Sequence, residues 1–162
     1  MAGTLTTHTG KKSRKLANKK VGIVVSSWNS EITEALYEGA RNTLAAAGIR
    51  KRNIILSRVP GSFELPLAAK WMADQKSIDG VIALGCVIQG ETPHFNYICQ
   101  AVANGLMKVN LASGKPVAFG VLTTLNKKQA EDRAGGKLGN KGEEAAATVL
   151  EMLALRGSKK TA

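Results

Sequence analysis

Residues 85–95 read GCVIQGETPHF, and the first eight match the spacing of a phosphate-gripping P-loop, G-x-x-x-x-G-K-[ST], at every position but one. Glu91 stands where the lysine belongs. A carboxylate there repels the β- and γ-phosphates that the lysine neutralises, which sets a nucleoside triphosphate aside. Backbone N–H groups around Gly90, in a glycine-bearing turn that enters a helix, can still form a nest for a single phosphate. Its cation must then come from elsewhere. Arg133, Lys137 and Lys141 in RAGGKLGNKG (residues 133–142) are available, although such a cluster reads equally as a solvated helix end. His94 is the only histidine outside the N-terminal tail. Imidazole titrates near neutral pH, so His94 fits proton transfer, and it also fits a capping or packing role. Trp28 is either core or a flat platform for a planar heterocycle. Ser62 and Glu64 offer a hydroxyl and a carboxylate to a polyol or an amide edge, with Glu64 alternatively a charge at a helix start.

These residues need a frame, and the apolar pattern supplies one. Val21–Ser26, Ile54–Val59, Val81–Leu84 and Val117–Leu122 are short apolar runs of strand length. Between them, helical spacing predicts helices over Ser30–Ala47, Glu64–Lys76 and Phe95–Leu111. Asn29 or Ser30 caps the first and Pro66 sits in the first turn of the second. Asn126 and Gln129 resemble a capping box opening a short helix that ends at Gly135-Gly136, and a last helix runs over Asn140–Leu155. Strands that are apolar throughout and alternate with helices predict a parallel sheet covered on both faces, whose ligands bind beyond the carboxyl ends of the strands. That rule selects four loops: 27–29, 60–64, 86–95 and 123–126. They hold Trp28, Ser62, Glu64, Glu91 and His94.

The 162 residues make one domain, with 44% hydrophobic and 22% charged residues, as in globular proteins. The net charge of +11 is unevenly spread. Of 23 basic side chains, six lie in residues 1–20 and three in 156–162, leaving 14 against 12 acidic in 21–155. The chain therefore reads as a basic, partly disordered N-terminal tail (1–20), a near-neutral domain (21–155) and a basic C-terminal tail (156–162). Tail binding of nucleic acid is an alternative to simple solubilisation, but the domain carries no RNA- or DNA-binding motif to support it. No apolar run is long enough to span a bilayer and none resembles a secretory h-region. Cys86 and Cys99, both in apolar patterns, read as buried reduced thiols of a cytoplasmic protein. Two cysteines and two histidines at these spacings fall short of a zinc site.

Four ordered motifs carry a specific resemblance: VPGSFELP (59–66), GCVIQGETPHF (85–95), AFGVLTTLN (118–126) and RAGGKLGNKG (133–142). Over roughly Val21 to Leu153 the chain resembles the 6,7-dimethyl-8-ribityllumazine synthase family. The resemblance implies a flavodoxin-like three-layer αβα sandwich with a four-stranded parallel sheet. It implies an enzyme that condenses 5-amino-6-(D-ribitylamino)uracil with 3,4-dihydroxy-2-butanone 4-phosphate, releasing phosphate and water, in the penultimate step of riboflavin biosynthesis. No metal or organic cofactor is implied. A flavin- or lumazine-binding compartment protein without catalysis is the alternative on the same fold. By resemblance, Trp28 stacks on the pyrimidine, Ser62, Phe63 and Glu64 bind the ribityl chain and ring, and the backbone of Cys86, Val87 and Ile88 reads the uracil edge. Glu91 and Thr92 lie at the butanone phosphate and His94 transfers protons. Phe119 and Arg133 come from the neighbouring subunit, the arginine to the phosphate, with Lys137 adding charge nearby. The resemblance further implies pentamers, and the uninterrupted GGKLGNKG favours twelve of them joined into a 60-subunit shell. The end of the N-terminal tail is expected to add a strand to a neighbour's sheet.

Overall fold

The computed structural model describes residues 16–158. Four strands, β1 (Val21–Ser26), β2 (Ile54–Val59), β3 (Gly80–Ile88) and β4 (Val117–Thr124), form one parallel sheet in the order β2-β1-β3-β4. The helices are α1 (Ser30–Ala46), α2 (Leu65–Asp74), α3 (His94–Ser113), α4 (Lys127–Glu131) and α5 (Lys141–Ser158).

Successive strand residues feed opposite layers, which explains why the strands are apolar without a break. Ile23, Val25, Ile82, Leu84 and Leu122 pack with Leu36 and Leu44 of α1 and Val149 and Leu150 of α5. Val24, Val81, Ala83 and Val121 pack on the other face with Leu65 and Met72 of α2 and Val102 and Leu106 of α3. Burying each such leucine or valine contributes about 1.5–3 kcal/mol, so the sheet is held from both faces. The α1–α5 crossing is close because it is glycine-lined. A methyl on Gly142 would run into the backbone of Leu36, and one on Gly39 would meet Asn140. Asn140 bonds across this crossing, donating from Nδ2 to the Ala35 carbonyl at 2.9 Å.

Because β1 lies between β2 and β3, the chain leaves β1 toward one side of the sheet and β3 toward the other. The carboxyl ends of β1 and β3 thus flank the switch point where such sheets open a crevice.

Several boundaries differ from the sequence-based expectation. β3 runs to Ile88 and β4 to Thr124, so residues 86–88 and 123–124 are strand where a loop is expected. The P-loop likeness fails here for a structural reason as well: its first half is β-sheet paired to β4. The short helix stops at Glu131, and an antiparallel hairpin follows, β5 (Ala134–Gly136) with β6 (Gly139–Asn140). Strands of three and two residues are too short to show alternation; their trace in the sequence is Gly135 and Gly139, which adopt φ +112° and +76°. Only half of the capping box forms. Asn126 Oδ1 accepts from Gln129 N at 2.9 Å, while Gln129 Oε1 accepts from Leu125 N. Cys86 is buried as expected, but Cys99 is only half-buried.

Order also extends past residues 21–155 at both ends. Leu16 packs on the α1/α5 layer, Lys19 Nζ lies 2.8 Å from Asp79 Oδ1, and α5 continues through Arg156. Residues 1–15 and 159–162, with the expected strand addition and polyanion binding, lie outside the described residues. Among the described residues no helix is long and apolar enough to cross a membrane.

Candidate active site

The carboxyl ends of β1, β2 and β3 gather the first group of expected site residues. Trp28 is 73% exposed, so it is no core residue. The turn that carries it is nonetheless rigid. Ser27 N donates to the Val59 carbonyl at 2.8 Å, Trp28 N to the Pro60 carbonyl at 3.2 Å, and Thr33 Oγ1 to the Ser26 carbonyl at 2.8 Å. A large flat ring on a fixed backbone, open to solvent, is a stacking surface. Beside it, Ser62–Glu64 forms a 3-10 turn into α2. Glu64 Oε2 accepts from Gly61 N at 2.9 Å, so this carboxylate shapes the turn. Phe63 is exposed, and Ser62 is buried with its hydroxyl unpartnered among the described residues. A methyl on Gly85 would come within 2.7 Å of Ser62 Oγ and 2.9 Å of Leu65 Cδ1. Gly85 is therefore demanded by the packing of this turn on β3.

The end of β3 presents backbone. Val81 N donates to Pro116 O and Gln89 N to Thr124 O, so the odd-numbered peptides face β4 and the even-numbered ones face β1. Pairing with β1 ends at Val25 opposite Leu84. Beyond it, the Cys86 carbonyl accepts from Asn29 Nδ2 at 3.0 Å, and the N–H and C=O of Ile88 face a side where β1 has already stopped. Asn29 was expected to cap α1; it stands at that boundary with φ 56° and makes no side-chain capping bond. Burial pushes the Cys86 thiol up from 9.0 to about 11, so this segment offers its backbone and not a nucleophile.

Glu91 and Thr92 are exposed in the loop between β3 and α3, and His94 is the exposed first residue of α3. The helix is 20 residues long and has no side-chain cap. Free N–H groups and the positive end of the helix dipole attract an anion there.

Phe119 lies apart from this group, and Arg133 lines a cavity along the β4 edge. Phe119 projects from the edge strand β4, 45% exposed and in register with Ala83. That is five residues below the level of Ile88, about 16 Å at 3.3 Å per residue. Phe119, Arg133, Lys141 and Glu144 line a cavity of about 490 Å³ along the β4 edge. Arg133 Nη1 donates to the Gln129 carbonyl at 3.0 Å, and Lys141 Nζ lies 2.6 Å from Glu144. Lys137 sits 3.4 Å from the buried carboxylate of Asp132, with Lys128 at 3.0 Å from the other oxygen. The Lys128 hydrogen bond, reinforced by Lys137, holds the Asp132 carboxyl below its ordinary range. Neither Asp132 nor Glu144 stood out in the sequence, since an acidic residue beside lysines on a helix is the commonest surface pattern.

The expected site residues thus fall into two sets on different edges of one subunit. Comparison with known proteins gives the arrangement its context. The family model for 6,7-dimethyl-8-ribityllumazine synthase matches residues 18–157. A relative from Cytophaga hutchinsonii, named 6,7-dimethyl-8-ribityllumazine synthase, is 63% identical over 86% of this chain and 87% of its own length. Relatives of the same name from Parabacteroides distasonis and Porphyromonas gingivalis are each 53% identical, over 82% and 84% of this chain and 83% and 84% of their own lengths. With a flavodoxin-like sheet and a match running nearly end to end, the chain belongs to the 6,7-dimethyl-8-ribityllumazine synthase family.

Proposed function

We propose that the crevice beyond β1 and β3 condenses 5-amino-6-(D-ribitylamino)uracil with 3,4-dihydroxy-2-butanone 4-phosphate to give 6,7-dimethyl-8-ribityllumazine, as the penultimate step of riboflavin biosynthesis. The observation that carries the reading is the division of labour at this edge: an exposed ring on a rigid turn, the end of β3 left open on its β1 side, and an uncapped 20-residue helix, all beyond the carboxyl ends of the strands in a chain of this family. Trp28 stacks on the pyrimidine, and the backbone of Cys86, Val87 and Ile88 reads its edge. Ser62, Phe63 and Glu64 take the ribityl chain. The α3 N-terminus, with Thr92 beside Glu91, takes the phosphate.

The chemistry is that of carbonyls and amines. The 5-amino group attacks the ketone and loses water to form a Schiff base. Loss of phosphate generates the second carbonyl, and attack by the ribityl-bearing nitrogen with loss of another water closes the ring. Each step moves a proton, which His94, exposed at the start of α3, relays. Holding two substrates together supplies much of the rate, so His94 accelerates a reaction that proximity already favours.

Arg133 and Phe119 complete the site of a neighbouring copy. Two unlike surfaces support this assembly. One is the exposed α2 face with Leu67 and Trp71. The other is an apolar groove of about 810 Å³ between α3 and α5 beside β4, lined by Met107, Leu111, Phe119 and Met152. Unlike patches on one subunit associate head to tail, and where the rotation closes they form a ring. The ring is a pentamer, and twelve pentamers form a 60-subunit shell in the cytoplasm. Sedimentation of the purified protein separates shell from free pentamer. Mixing the protein with both substrates and following lumazine absorbance tests the activity; no product above the uncatalysed rate removes the reading.

A further inference from the structure

We propose that Asn29 is a positioning residue for the heterocyclic substrate: its amide ends the sheet at the carbonyl of Cys86 and so leaves the Ile88 peptide free for the ring. This rests on reading Trp28 and residues 86–88 as the pyrimidine subsite.

Asn29 is the one non-glycine residue with positive φ among the described residues, at 56°. Such conformations are sparsely populated and persist where the surroundings enforce them, often at functional sites. An asparagine at a helix start ordinarily accepts a bond from the first turn. Here its main-chain carbonyl does accept, from Ile32 N at 2.9 Å and Thr33 N at 3.1 Å, while its side chain leaves the helix. Nδ2 reaches Cys86 O at 3.0 Å, 57 residues along the chain. The left-handed backbone is what turns it there.

The Cys86 carbonyl faces the β1 side of β3, where the N–H of residue 28 would have reached it had β1 run on two residues past Ser26; Trp28 N turns to the Pro60 carbonyl instead. The Asn29 amide takes that place. Two residues on, the Ile88 N–H and C=O face the same side with no strand beside them. A lactam edge can bond to that pair as an added strand would. Trp28, the neighbour of Asn29, offers its ring to the same substrate. One hydrogen bond therefore sets the stacking surface relative to the edge that reads the heterocycle. The phosphate end is built from other elements, α3 and Arg133, and is independent of it.

Asn29→Gly tests this, because glycine keeps the left-handed turn and loses the amide. Asn29→Asp also tolerates the turn but places a carboxylate against a carbonyl oxygen. For Asn29→Gly we expect the KM for ribitylaminouracil to rise about five- to tenfold, the loss of one partly buried hydrogen bond. The KM for butanone phosphate should stay unchanged while the thermal midpoint falls by only a few degrees for the lost intramolecular bond, and Asn29→Asp should lose more in the ribitylaminouracil KM. Calorimetric titration with ribitylaminouracil alone keeps the two ideas apart. If Trp28→Ala binds it as tightly as the parent, the subsite reading fails. If Trp28→Ala weakens binding but Asn29→Gly does not, the positioning role is overturned. It is equally overturned if Asn29→Gly raises both KM values together, since that is the signature of a purely structural residue.

Discussion

If each site takes Trp28 and His94 from one subunit and Arg133 from the next, two crippled variants should repair each other. Consider Trp28→Ala/His94→Ala, which spoils one half-site, and Arg133→Ala, which spoils the other. Removing the arginine from the phosphate loses a charge-assisted hydrogen bond worth about 1.5–3 kcal/mol, leaving roughly 1–10% of activity. The double variant loses stacking of about 1–3 kcal/mol together with the proton relay, and falls at least as far. Now mix them one to one and let subunits exchange by joint refolding. A site is whole only when the subunit giving Trp28 is the Arg133→Ala chain and its neighbour is the double variant, so about a quarter of all sites in a head-to-tail ring are whole. That fraction does not depend on ring size. Lumazine absorbance should therefore recover to about 25% of the parent rate, well above either variant alone. The single chain makes the opposite outcome meaningful. Phe119 lies about 16 Å down the edge strand from the level of Ile88, too far along β4 to join the residues at the carboxyl ends of β1 and β3 in its own chain. If the mixture, with exchange verified by mass spectrometry, gave only the average of its two components, the site would be contained within one chain and the shared-site assignment would be wrong.

Three further outcomes are expected. His94→Gln should slow lumazine formation by about a hundredfold without abolishing it, because proximity remains; an inactive variant that still binds both substrates would contradict this. The Cys86 thiol is raised in the fold, so its stabilising share is complete below pH 9.0 and is lost as pH climbs through about 11. Thermal midpoints followed across that window should fall more steeply for the parent than for Cys86→Ala. Gly142→Ala should destabilise the chain by about 3 kcal/mol in denaturant titration, since the new methyl meets Leu36 backbone that has no side-chain freedom to yield.

The sheet was legible because a parallel strand buried on both faces leaves an unbroken apolar run; Val21–Ser26 and Ile54–Val59 were found to the residue. The ends of β3 and β4 were not. Gly85, Cys86, Thr123 and Thr124 look like loop residues, yet pairing to a neighbouring strand, a long-range interaction, decides where a strand stops. The same limit hid Asn29. Its residue type rightly placed it at the start of α1, but the partner of its side chain is 57 positions away on another strand. Arg133 and Lys137 were grouped as phosphate cations because they are close in sequence. The fold separates their surroundings: Arg133 lines the β4-edge cavity, while Lys137 sits beside Asp132.

Glu91 in the lysine position of a P-loop-like sequence becomes intelligible on the proposed assignment. A lysine fixed in this loop would bind the phosphate in the substrate and the released product as well as in the transition state, and the uniform part of such binding lowers KM without raising kcat. Here the phosphate is expelled midway and must leave before the ring closes. The uncapped start of α3 attracts it through dipoles alone, and a carboxylate at Glu91, itself favoured near that positive helix end, keeps the local potential from becoming a trap. On the proposed assignment, the full positive charge is the guanidinium of Arg133 from a neighbouring subunit. A lysine built into the loop would hold phosphate in every subunit, assembled or not. A cation placed across the boundary, as proposed, would confine strong stabilisation of the departing charge to the oligomer.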